Sequence, residues 1–131
     1  MVAMGHRSLD PVADEILATA MTLFDVAELR RLGPAVAARR AVATLAGRGV
    51  EGFWVHLDTD VLDPELMPAV DSPEPGGLTH QELVALLKTL TASERAMGVQ
   101  VTIFDPDLDP DGRLAAELTD TVVAGLEPRV G

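Results

Sequence analysis

Asp58 and Asp60 stand two residues apart where an apolar run, residues 52–57 (GFWVHL), gives way to a loop rich in proline and glycine. On an extended backbone, residues i and i+2 point the same way, so both carboxylates can reach one cavity. Their hard oxygen donors suit Mn2+ or Mg2+. Asp63 and Pro64 then turn the chain away, and Gly76 and Gly77 permit close backbone approach just before Thr79. The pair alone also supports a plainer reading, because aspartates at a strand end are common turn formers. On these two residues a cation site and a turn are both open.

Other residues with chemical potential carry less. His56 reads as a core or near-site histidine rather than a ligand, and Trp54 reads as core. His80 stands at a helix start, where exposure to solvent is expected. Residues 107–112 (DLDPDG) have the Asp-x-Asp-x-Asp-Gly opening of a calcium-binding loop, which is one alternative function. However, the twelfth position is Leu118, with Glu117 one residue early, and Pro110 lies inside the loop. A solvated turn that caps the last helix is the preferred reading there. No catalytic or substrate-binding residue is assigned from these patterns.

Carboxylates at a strand end need a sheet behind them, and 131 residues suit one domain. The best strand is the 52–57 run, whose lack of strict alternation predicts burial on both faces. Shorter strands are expected at 2–4, 21–24 and 99–104 (VQVTIF). Asp10 and Pro11 predict a helix to about Ala20, as N-cap and first helical residue. Helical segments follow at 27–32 and 35–46, the latter with Val36, Ala43 and Leu45 inward and Arg39, Arg40 and Arg48 outward. Thr79 to Glu82 form a capping box that opens a helix to about Leu90, and a last helix is expected at 113–126. Such alternation implies right-handed crossovers and a parallel sheet between helices.

Composition narrows the partners. The formal net charge is −11, with no basic patch to release counterions from phosphate, so neither nucleic acid nor an anionic membrane is expected. No run approaches the ~20 apolar residues of a membrane span. The chain has no cysteine, which excludes disulfides, thiolate metal sites and cysteine nucleophiles. With no basic and apolar leader at Met1, a cytoplasmic location is the expectation.

The whole string from Asp58 to Leu78 is long and specific: Asp58, Asp60, Asp63-Pro64, Pro68, Ser72-Pro73, then Gly76-Gly77-Leu78. It resembles the second metal-binding signature of the arginase/agmatinase/formiminoglutamase (ureohydrolase) family. Met4-Gly5-His6-Arg7 resembles the family's strand ending in a Gly-x-Arg turn, and Asp105-Pro106 with Asp109 resembles its late Asn-Pro followed by Asp. The resemblance implies a three-layer αβα fold with a mostly parallel sheet. Residues 1–131 would form a single domain equivalent to the C-terminal half of the catalytic domain.

By the same resemblance the function is metal-dependent hydrolysis of a non-peptide C–N bond in a linear amidine, a small-molecule substrate. It implies a two-manganese site (Mn2+), with Asp58 bridging both metals and Asp60 binding one of them. It also implies a homo-oligomer in the full-length form.

Two departures qualify this. The family's other ligands lie in an upstream half, and none of His6, His56 and His80 sits in such a motif, so this chain alone is expected to be inactive. Ile103 stands where a guanidinium-binding glutamate is expected, which leaves the substrate open. An inactive half-protein that serves as an interaction module or subunit is the other alternative. A chain cut from a parallel sheet is further expected to be marginally stable or to self-associate.

Overall fold

Three helices begin on side chains that satisfy their free N–H groups. Asp10 accepts from the Val12 amide at 2.9 Å, with Pro11 as first helical residue, and Asp25 accepts from the Glu28 amide at 2.7 Å. At Thr79 the expected capping box forms: its hydroxyl accepts from the Glu82 amide, and the Glu82 carboxylate accepts from the Thr79 amide. These local caps fix where the helices start.

The computed structural model describes residues 1–7 and 10–128. The order is β1 (Val2–His6), α1 (Pro11–Ala20), β2 (Thr22–Asp25), α2 (Val26–Leu32), α3 (Pro34–Gly47), β3 (Phe53–Asp58), α4 (His80–Thr91), β4 (Ala96–Thr102) and α5 (Arg113–Leu126). Single 3₁₀ turns occupy Thr59–Val61 and Pro106–Leu108. β1 pairs with β2 and β3 with β4, both in parallel, each pair joined by a helical crossover. Among the described residues these are two separate two-stranded ladders rather than one continuous sheet.

Two apolar clusters hold the unit together. One gathers Leu57, Leu62, Met67, Val70, Leu83, Leu87, Leu114 and Leu118, so it joins β3, the loop after it, α4 and α5. The other gathers Phe24, Leu29, Ala37, Ala38, Ala41, Leu78 and Leu86, with Val2 and Met4 of β1 packed against it. Helix α4 contributes to both, through Leu83 and Leu87 on one side and Leu86 on the other.

The structure corrects several expectations. Trp54 is 68% exposed rather than core, and His56 is exposed beside it. β3 therefore alternates, with Leu57 buried and one face open, instead of being covered on both sides. Helix α3 turns Ala37, Ala38 and Ala41 inward, while Ala43 is exposed and Val36 and Leu45 are half-buried. Small side chains there let the helix approach its neighbours closely. β4 starts earlier than expected because pairing with β3 recruits Ala96 and Gly98, and it ends at Thr102, short of Ile103 and Phe104.

Candidate functional site

β3 delivers Asp58 to its carboxyl end, and the chain closes at once into the turn Thr59–Val61. The Asp58 carboxylate accepts from the Asp60 amide at 3.1 Å, an arrangement that brings the two acids onto the same side of the turn. Thr59 between them is fully buried and donates its hydroxyl to the Thr102 carbonyl at 2.7 Å. That bond ties the end of β3 to the end of β4, so the pair of carboxylates is anchored on two strands.

Burial pushes the Asp60 carboxyl up to about 6, helped by a hydrogen bond with the Asp58 carboxyl and by its negative charge. Asp71 acts in the same direction, and the nearby Arg7 guanidinium opposes it. The turn thus gathers two carboxyls and their negative charge in a partly desolvated place. In donor type this fits Mn2+ or Mg2+. In number it is incomplete, since among the described residues no group of three or more His, Cys, Asp or Glu side chains could hold a metal ion.

The loop that follows is clasped from a distance. Arg7, just past β1, donates through Nη2 to the carbonyls of Asp60 (2.7 Å), Leu62 (3.1 Å) and Glu74 (2.9 Å). Its Nη1 reaches the Gly5 carbonyl at 3.4 Å, and its buried Nε finds no hydrogen-bond acceptor. Asp63 holds the other side, accepting from the amides of Glu65 (3.0 Å), Gly76 (2.9 Å) and Gly77 (3.2 Å). These amide donors hold its carboxyl below the ordinary range, with Arg7 adding to the effect. Main-chain bonds from Leu78 to Val61 (2.8 Å) and from Asp63 to Leu78 (3.0 Å) close the two legs of the loop.

Two glycines make the clasp possible. Gly77 sits so close to the Arg7 guanidinium that a side chain there would collide with it, and would also lie 2.5 Å from the Asp63 amide nitrogen. Gly5 has φ +83°, and a Cβ there would lie 2.6 Å from Val61. The Gly-x-Arg turn thus presses β1 against the acidic turn and reaches across it. Sequence reasoning singled out Asp58 and Asp60, which the structure brings together, and read Asp63 as a turn former and Gly76-Gly77 as a close approach, but missed Thr59, the amides that Asp63 binds and the reach of Arg7.

The remaining candidates fall around this centre. His56 lies on the same face of β3 as Asp58, with Nε2 3.1 Å from the Thr102 hydroxyl and Nδ1 3.3 Å from the Gln100 amide oxygen. His80 is half-buried rather than exposed, with Nδ1 2.7 Å from the Thr121 hydroxyl and a buried, unpaired Nε2. Ile103 follows β4 with φ +75°, a left-handed conformation that a β-branched residue adopts only under strain.

In the 107–112 segment, Asp109 is buried and accepts from the amides of Leu114 (3.0 Å) and Ala115 (2.8 Å), and Asp111 accepts from the Arg113 amide. Burial raises the Asp109 carboxyl, but the two amide donors outweigh it and the net shift is downward. Both of its oxygens face the helix, which favours the capping reading of the loop.

Comparison with known proteins adds an independent line. The profile described as "Arginase family" matches residues 1–126. The chain is 31% identical over 125 residues to an arginase of Brucella melitensis, covering 94% of this chain and 40% of that one. It is 38% identical over 66 residues to the N(1)-aminopropylagmatine ureohydrolase of Thermus thermophilus, covering 50% and 21%. The solved arginase of Bacillus caldovelox superposes with a TM-score of 0.81 at 27% identity, covering 95% of this chain and 42% of that one. The chain thus has the α/β fold of these structures, with helices packed on parallel strands, and spans less than half the length of the full-length relatives it matches.

Proposed function

Because the chain belongs to the arginase family, we propose that it is part of a metal-dependent hydrolase that cleaves a non-peptide C–N bond in a linear amidine. Asp58 and Asp60 are its manganese ligands in this reading. The observation that carries it is the convergence of the two carboxyls at the carboxyl end of β3, where open α/β sheets bind their ligands. Bound divalent ions would supply Lewis-acid polarisation and a lowered water pKa.

This chain's own residues supply position. Thr59 fixes the turn to β4, while Arg7 and Asp63 hold the loop around the two acids. The substrate is a small guanidino or related compound. Ile103, an aliphatic side chain where a carboxylate would pair with a guanidinium, argues for one other than arginine or agmatine. The remaining metal ligands would come from an upstream segment of the family's polypeptide. A second reading, an interaction module without catalysis, draws on the incomplete donor set.

Manganese binding to the chain assembled with an upstream segment that supplies the remaining ligands, followed by electron paramagnetic resonance, tests the assignment. Asp60→Asn and Asp58→Asn should each weaken binding by at least the roughly 10–100-fold typical of perturbed metal shells. Folded variants that bind manganese as tightly as the parent would refute it.

A further inference from the structure

Helices α4 and α5 pack side by side, and they are joined at both ends of α4. Toward its far end, Gly125 lets α5 come so close that an added Cβ would lie 2.6 Å from Leu87, and the Thr91 hydroxyl reaches the Gly125 carbonyl at 3.3 Å. At the near end, His80, the first residue of α4, meets the buried Thr121. The Thr121 hydroxyl donates to the Glu117 carbonyl at 2.8 Å, so its one hydrogen is committed. His80 Nδ1, 2.7 Å from that oxygen, must therefore be the donor. The ring is thus the Nδ1–H tautomer, and Nε2 is left as a bare lone pair.

That nitrogen is buried and has no partner among the described residues. A second proton there would be a buried N–H without an acceptor, which costs the desolvation of a charged group. Among the described residues no carboxylate pairs with the ring to offset this. Glu117, one turn before Thr121, is taken by Arg113 at 2.6 Å, and Glu82, in the first turn of α4, by Arg30 at 2.8 Å. In the loop that leads into α4, Asp63 is held by the Gly76 and Gly77 amides. Asp120 beside Thr121 is exposed, as are Arg39 and Arg40 of α3, and β4 carries no charged residue. The positive end of the α4 dipole further disfavours a cation at its first residue.

We propose that His80 is a proton-sensitive latch between α4 and α5, closed while the ring is neutral and opened when Nε2 takes a proton from solvent. α4 begins where the acidic loop ends. Thr79 caps the helix, and the amide of Leu78 donates to the Val61 carbonyl. Opening the latch therefore loosens the returning leg of the loop that follows Asp58 and Asp60. The inference rests on the direction of two hydrogen bonds and holds whether or not the acidic turn binds metal.

The test is urea unfolding of the chain and of His80→Gln at about pH 7.5 and about pH 5.5, the range in which imidazoles gain their proton. A free imidazole is half-protonated near pH 6.5, so a proton that only the unfolded chain accepts raises the unfolding constant about tenfold between these two values. His6, His56 and Asp60 are common to both proteins, so their protons cancel in the comparison. The unfolding constant of the parent should thus rise about tenfold more than that of the variant. Imidazole 15N chemical shifts of the labelled chain at neutral pH read the tautomer directly and do not depend on the variant folding. They should show a protonated Nδ1 and a bare Nε2 at His80. Two outcomes would overturn the proposal: a difference between parent and variant below about threefold, or a His80 ring that carries its proton on Nε2.

Discussion

Replacing Arg7 with alanine removes a side chain that joins the end of β1 to both legs of the acidic loop. Its Nη2 faces three carbonyls, at 2.7, 3.1 and 2.9 Å. A hydrogen bond from a charged donor contributes about 1.5–3 kcal/mol net, and three at full strength would give several times that. Two factors reduce the sum. One nitrogen carries two hydrogens, so three acceptors cannot all be well aligned. The carbonyls are only part-buried, so some regain water when the guanidinium leaves.

The expected loss is therefore about 3 kcal/mol, or a fall in Tm of roughly 9–15 °C for a domain of this size. Urea denaturation followed by far-UV circular dichroism measures it, with an unchanged m-value confirming that the same surface unfolds. Arg7→Lys keeps the charge but not the fork, and should recover less than half of the loss. A loss below about 1 kcal/mol for the alanine variant would show that the clasp closes without its arginine, and the reasoning would fail.

Two further outcomes follow from the same region. Thr59→Val conserves shape but leaves the Thr102 carbonyl without its 2.7 Å donor, and should cost about 1–3 kcal/mol by the same denaturation assay. Asp63, Glu82 and Asp109 all have folded-state pKa values below their ordinary ones: Asp63 through its amide donors, Glu82 chiefly through its hydrogen bond from Arg30, and Asp109 because two amide donors outweigh its burial. A depressed carboxylate stabilises the fold above its unfolded pKa and loses that contribution as pH falls through the folded one. Their part of the stability should be intact above about pH 5 and drain away below about pH 4, which a series of urea midpoints would reveal.

The elements that could be read from the chain were those whose cause is local. Helix α5 spans Arg113–Leu126 and α1 ends at Ala20, because caps, prolines and glycines act within a few residues. Asp58 and Asp60 were readable as two neighbouring acids, but not through the strand period: β3 ends at Asp58, and Asp60 lies in the turn Thr59–Val61, where its amide donates to the Asp58 carboxylate. Trp54 was misread because an aromatic residue in an apolar strand implies cover on both faces, and the strand's own sequence does not say what covers it. The early start of β4 comes from pairing with β3 and not from the propensity of Ala96, Met97 or Gly98. The Arg7 acceptors lie 53, 55 and 67 residues away, a distance no spacing argument spans.

That separation also sets an order of assembly. The β3–α4–β4 crossover and α5 make contacts that are close along the chain, and such contacts close early because little loop entropy is lost. The bonds from Arg7 to Asp60, Leu62 and Glu74 require the first strand to meet a loop more than 50 residues downstream. They belong to the late, non-local phase of folding. Asp58 and Asp60 can therefore come together at the end of β3 before the loop around them is fixed, and the acidic turn acquires its final shape only when β1 docks.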